Sequence, residues 1–394
     1  MESLLIRNVV REGRKCDILV ENGLFKVIAD AGSALAAQNV IEADGLAILP
    51  AMYNTHTHAA MTLLRGYADD MELDKWLQEY IWPFEDGLKS EDIRRGSELA
   101  IKEMILTGSV FFNDMYFDIE QTIDPVDKLG IRASIGITVM DNHSLSQTEE
   151  KKRFISEFKD PTGGRIQLAM APHSIYCVGE ERFKDCVRFA REKGMKIHTH
   201  ISETKKEVDD CVRQRGCSPV QYLDRIGVLG PDVIAAHCVV VSERDADILA
   251  ERGVTISHCP CSNMKLASGR MPTEMLLKAG CKMTIGTDGA SSNNNLDLRE
   301  EMKFASLLAK VTGDPELLPA EQVFDWATKN GAEAFGIDGG VVSEGKVADC
   351  ILVDLSAPKM RPCHNLISNF VYSADSSCIK ATICAGRVVS EMLR

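Results

Sequence analysis

Apolar positions along the chain fall into two textures. Residues 3–9, 16–21 and 24–28 are short runs of strand length, and Asn22-Gly23 between the last two is a strong two-residue hairpin signal. The other end has the same texture. Residues 348–354 and 379–389 alternate or run apolar, with Ala385-Gly386 marking a turn. The two ends are expected to pair into one small β-sandwich.

Between them, short β-branched runs are separated by longer amphipathic segments, the mark of repeated βα units around a parallel sheet. Eight strands are predicted, at 47–54, 109–114, 132–138, 166–171, 196–200, 233–237, 255–258 and 282–287. Segments 91–106, 180–192 and 245–251 return apolar residues every three or four positions, so helices are predicted there. The expected fold is α/β, a (β/α)8 TIM barrel with the β-sandwich beside it. The domains are read as 1–50 and 340–394 for the sandwich and 51–339 for the barrel, which the length of 394 residues accommodates.

Charge narrows the partners. With 58 acidic against 45 basic residues the formal charge is −13, which argues against nucleic acid or an anionic membrane as partner and for a small molecule. No apolar run approaches the ~18 residues of a spanning helix, and no basic segment followed by an apolar core follows Met1, so a cytoplasmic protein is expected. Thirteen cysteines without a framework of short spacings read as reduced thiols.

His56, His58, His173, His200, His237 and Asp288 all fall at or just past the C-terminal ends of predicted strands. In a (β/α)8 barrel those ends surround one mouth, where active sites of the fold lie. His56 and His58 alternate on a strand end and point to one side, able to grip one ion; His200 and Asp288 complete a set of three imidazoles and a carboxylate. Such a set suits one divalent ion, Zn2+ first, with Fe2+ and Mn2+ also compatible, and leaves a position for water whose pKa falls towards ~7, making hydroxide the nucleophile. A second ion bridged by a carboxylated lysine is not expected, since residues 166–171 contain no lysine. The barrel is thereby of the metal-dependent hydrolase type.

Glu203, three residues after His200, is the candidate proton shuttle, placed to protonate a ring nitrogen and then the leaving amine. His237 would orient or polarise the attacking oxygen, and Asp288 would serve as both ligand and base. His198 and His258 read as supporting groups, and His143 and His364 as solvated loop residues. Cys259-Pro260-Cys261 reads as a packing turn, Met264 and Leu266 as pocket or core, and Trp76 and Trp82 as a lid or a subunit contact.

Segments 50–58, 61–66, 81–85, 171–174, 236–238, 262–266 and 286–294 together resemble the 5-methylthioadenosine/S-adenosylhomocysteine deaminase family of the amidohydrolase superfamily. The resemblance implies exchange of the adenine 6-amino group for oxygen, with release of ammonia, on adenosine, 5'-deoxyadenosine, 5'-methylthioadenosine or S-adenosylhomocysteine. It also implies that Glu85 binds the ribose hydroxyls, that His173 contacts substrate, and that the chain forms a dimer or tetramer. Family members accepting S-adenosylhomocysteine carry an arginine in the third-strand segment where this chain has Ile137, so the amino-acid carboxylate is expected to lose a partner, unless Arg270 replaces it. The alternative reading is an aminohydrolase for guanine, a pterin, cytosine or a triazine, for which a ribose-binding Glu85 would have no use.

Overall fold

In the computed structural model, which describes residues 3–142, 144–311 and 313–390, the N-terminal strands are β1 (Leu4–Arg11), β2 (Arg14–Glu21), β3 (Leu24–Asp30), β4 (Asn39–Glu42) and β5 (Leu46–Pro50). Asn22 and Gly23 join β2 to β3 with φ of 53° and 78°, as a type I′ turn requires. The barrel strands are β6 (Met52–Thr57), β7 (Ser109–Tyr116), β8 (Arg132–Val139), β9 (Ile166–Pro172), β10 (Lys196–Ile201), β11 (Val233–His237), β12 (Thr255–His258) and β13 (Lys282–Ile285). Then come β14 (Cys350–Asp354), β15 (Ile379–Cys384) and β16 (Arg387–Val388).

The end strands form one mixed sheet in the order β16-β15-β14-β5-β1-β2-β3, with β4 also on β1. Its inner face has a separate core, including Ile6, Ile18, Phe25, Ile48, Leu352 and Ile383. The expected strand 379–389 is a hairpin, turned at Ala385 and Gly386 with φ of 48° and 76°.

The expected first barrel strand, 47–54, is divided between the two sheets. Leu46–Pro50 pairs antiparallel with β14, and the chain changes sheets at a single residue: the Ala51 N–H donates to Asp349 O, whereas the Met52 N–H donates to Gly108 O. A continuous apolar run conceals this step because both strands are buried.

The barrel strands run parallel in sequence order from β6 to β13. Between β13 and β6 two side-chain hydrogen bonds and a backbone one stitch the seam: Asn54 Nδ2 donates to Thr287 Oγ1 at 2.7 Å, Thr55 Oγ1 donates to Ile285 O at 2.9 Å, and the Asp288 N–H donates to His56 O at 3.0 Å. Gly286 permits that approach, since a Cβ there would lie 2.8 Å from His56 N. The helices 91–106, 180–192 and 245–251 are present as Ser90–Leu106, Glu180–Glu192 and Glu243–Glu251. The last starts earlier because Ser242 and Asp245 form a reciprocal capping box.

A segment the hydrophobic pattern does not resolve lies after β6. It comprises the 3-10 turns Ala59–Leu64, the helices Leu73–Lys75 and Trp82–Glu85, and between these the π-helical turn Trp76–Ile81. Its apolar side chains, among them Met61, Leu64, Trp76, Leu77 and Ile81, form their own small core with Tyr116 and Leu266. It covers one side of the barrel mouth. All thirteen cysteines are free, and among the described residues no helix is long and apolar enough to cross a membrane.

Candidate active site

Because strands of a barrel present alternate residues inward, His56 on β6, with His58 just past its end, and His198 and His200 on β10 face the barrel axis. At the mouth, His56 Nε2 and His58 Nε2 each lie 3.2 Å from Asp288 Oδ1, and His200 Nε2 lies 3.4 Å from His58 Nε2. Among the described residues two donor sets are close enough to hold an ion, His56 with His58 and Asp288, and His56 with His200 and His237.

The opposite ring nitrogens are already engaged. His58 Nδ1 is 2.7 Å from Met115 O and His200 Nδ1 is 2.8 Å from His173 O, so each donates there and keeps its Nε2 lone pair turned inward. His56 Nε2 is buried without a hydrogen-bond partner. This is the arrangement of ligand histidines, whose second nitrogen is fixed by the protein, and the residues present fit a divalent ion.

Asp288 adopts a left-handed φ of 62° and is held at both oxygens: Oδ1 accepts the Gly289 N–H at 2.8 Å, and Oδ2 accepts Ser262 Oγ at 2.6 Å and Ser292 Oγ at 3.1 Å. Burial would raise its carboxyl, but the imidazoles of His56 and His58 beside it hold it well below the usual carboxylate range. His237 ends β11, also with positive φ, and its Nδ1 is 2.9 Å from Asn263 Oδ1. Its Nε2 faces Glu203 Oε2 at 3.8 Å.

Burial raises the Glu203 carboxyl above its ordinary value, the direction a proton donor near neutrality needs. Glu207 fixes the backbone beneath it, accepting the Ser202 N–H at 3.0 Å and the Glu203 N–H at 2.8 Å. Glu207 is the third residue of the helix Lys205–Arg215, whose start Thr204 caps. Sequence reading misses Glu207, although an acid three residues after a Thr cap is a recognisable helix-start pattern. It also misses Asn263, Ser262 and Ser292, whose partners only the folded barrel supplies.

These groups open onto a cavity of about 620 Å³ of empty space, its mouth included. His58, Glu85, His173, His200, Glu203, His237 and Asp288 line it. Glu85 stands across it, with Oε1 accepting the Tyr116 hydroxyl at 2.7 Å; burial pushes its carboxyl up to about 7 against the pull of that bond. Trp76, Trp82 and Leu266 also line the cavity, while Met264 is exposed, contrary to the expectation that it lies in pocket or core.

Two other expectations change. Ile137 is buried in the barrel's hydrophobic core, and the neighbours that line the cavity are Thr138 on β8 and Met140 just past its end. The strand alternation turns Ile137 away, so its identity does not act on a ligand directly. Arg270 is exposed and is not among the cavity's lining residues. His258 is buried at the end of β12, Pro260 opens the short helix Pro260–Lys265, and His143 lies outside the described residues.

Residues 47–389 match the amidohydrolase family. The chain belongs to that family. It is 42% identical over 381 residues to a 5'-deoxyadenosine deaminase of Methanothermobacter thermautotrophicus, covering 95% of this amidohydrolase and 89% of the relative. It is 44% identical over 369 residues to 5-methylthioadenosine/S-adenosylhomocysteine deaminase 1 of Archaeoglobus fulgidus, covering 93% and 87%. Among solved structures, an adenosine deaminase from Xanthomonas campestris with bound zinc superposes with a TM-score of 0.91 at 34% identity, over 98% of this amidohydrolase and 92% of that chain.

Proposed function

We propose that this amidohydrolase deaminates 5'-substituted adenosines, 5'-deoxyadenosine and 5'-methylthioadenosine foremost, to the corresponding inosines and ammonia. The observation that carries this is one cavity with an imidazole–carboxylate centre and Glu203 at its floor and the half-buried carboxylate of Glu85 on its wall, held by a phenol hydroxyl rather than by a lysine or arginine. The names of the relatives agree.

His56, His58, His200 and Asp288 would hold one divalent ion, with zinc the best match to three imidazoles and a carboxylate. That ion supplies Lewis acidity, lowering the pKa of water beside it towards ~7. His237, held by Asn263, orients the attacking oxygen through Nε2. Asp288 takes one proton of the water; Glu203 gives its proton to the purine ring nitrogen, then carries the proton of the new C6 hydroxyl to the leaving amine, and the proton held by Asp288 restores Glu203. His173 contacts the purine or ribose from the β9 side. Glu85 accepts hydrogen bonds from the two ribose hydroxyls, a use that a bare guanine, pterin, cytosine or triazine does not offer.

The test is ultraviolet absorbance with zinc-loaded protein and adenosine, 5'-deoxyadenosine, 5'-methylthioadenosine and S-adenosylhomocysteine in separate reactions. Loss of the adenine band is expected with the first three. No change with any nucleoside would refute the reading. S-adenosylhomocysteine is expected to have the lowest kcat/KM, because the described residues lining the cavity include no lysine or arginine for its carboxylate. Arg270→Ala should leave that ranking unchanged.

Glu85→Ala is expected to lower kcat/KM by about 10- to 100-fold, the worth of hydrogen bonds to a charged acceptor. Wild-type enzyme should discriminate against 2',3'-dideoxyadenosine while the variant does not; equal discrimination by both would remove Glu85 from the ribose.

A further inference from the structure

The three histidines of the proposed ligand set differ in what holds their outer nitrogens. His58 and His200 donate to backbone carbonyls, Met115 O and His173 O. His56 has another imidazole there: its Nδ1 is 2.7 Å from His198 Nε2, with the rings near perpendicular at 86°. Both rings are wholly buried. His198 belongs to neither donor cluster, and its Nε2 is committed to His56, so it is not a further ligand.

Its own far nitrogen is poorly served. His198 Nδ1 is buried without a well-formed hydrogen bond, although the Asp114 backbone lies beside the ring. A buried N–H left short of a partner costs free energy that an apolar side chain of similar volume would not. Strand alternation alone asks only for an inward residue at this depth of β10, and a leucine or phenylalanine would fill it. What the imidazole adds is an acceptor 2.7 Å from His56 Nδ1.

Resting on the ligand set proposed above, we propose that His198 is the positioning residue of the metal centre. Its Nε2 accepts the His56 Nδ1–H, which fixes the His56 tautomer with the Nε2 lone pair facing the ion and locks the ring between β10 and Asp288. One proton position thus links two strands on opposite sides of the barrel. Loss of such a partner lowers metal affinity about 10- to 100-fold, without removing any ligand.

The experiment is competition for Zn2+ between a chromogenic chelator and the full-length protein in four forms, wild type, His198→Leu, His198→Gln and His56→Ala, each checked for native circular dichroism. The glutamine carbonyl can stand where Nε2 stood. His198→Leu is expected to weaken Zn2+ by about 10- to 100-fold, with His198→Gln within a few-fold of wild type. If the leucine variant does not fold, His198→Phe keeps the ring shape without the acceptor and takes its place. Wild-type affinity in the leucine or phenylalanine variant overturns the proposal, as does equal weakening in the glutamine variant. An unchanged affinity in His56→Ala overturns the ligand set instead, and the proposal with it.

Discussion

Glu203→Gln is expected to retain its zinc and lose turnover by about 10²- to 10⁴-fold, the usual contribution of a positioned acid–base group. The amide keeps the carboxylate's shape, and the Glu203 N–H remains bound to Glu207, so the loop need not move. What disappears, on the proposed mechanism, is the proton carrier, a carboxyl that burial raises above its ordinary value, 3.8 Å from His237 and lining the cavity. His200→Ala is expected to lose both metal and activity, since it removes a donor rather than a carrier. Zinc content measured beside kcat separates the two variants. Near wild-type turnover in metal-loaded Glu203→Gln would end the assignment of Glu203.

Asp349→Ala is expected to destabilise the protein by about 3–5 kcal/mol, as deletion of one partner of a buried ion pair does. Asp349 is wholly buried where the barrel meets the end sheet. It pairs with Arg132 of β8, accepts the Tyr53 hydroxyl of β6 at 2.7 Å, and accepts the Ala385 N–H of the β15–β16 turn at 2.6 Å. Removing it strands a mostly buried guanidinium and a fully buried phenol. By contrast Asp44→Ala, which breaks an exposed pair with Lys15, should change stability by less than about 1 kcal/mol. Urea titrations of both variants provide the check; similar midpoints would show that the junction does not depend on this ion pair.

The site is legible in the sequence to an uneven degree. His56, His58, His200, His237 and Asp288 can be gathered from their positions along the chain, because all lie at or just past the ends of predicted strands and barrel strand ends share one mouth. Glu85 cannot be. It sits in a four-residue helix after a π-helical turn, and without a family resemblance it reads as a surface acid. Nor does the sequence reveal that Tyr116, 31 residues away, hands it a hydrogen bond. Ile137 shows the complementary error: its place in the third-strand segment suggests a ligand contact, but the pleat turns the side chain into the core while Thr138 takes the cavity.

Hydrophobic periodicity determined the fold class, the pairing of the chain ends, and the set of side chains able to meet, because burial of one face imposes a period on each element. It left open the change of sheet at Ala51, the covering of the mouth by residues 59–85, and the partners of each inward group. Those depend on register between strands distant in sequence, where a shift of one residue reverses every side chain. The meeting of His198 with His56, 142 positions away, is of that kind. Local sequence made both histidines inward; only closure of the barrel set one nitrogen against the other.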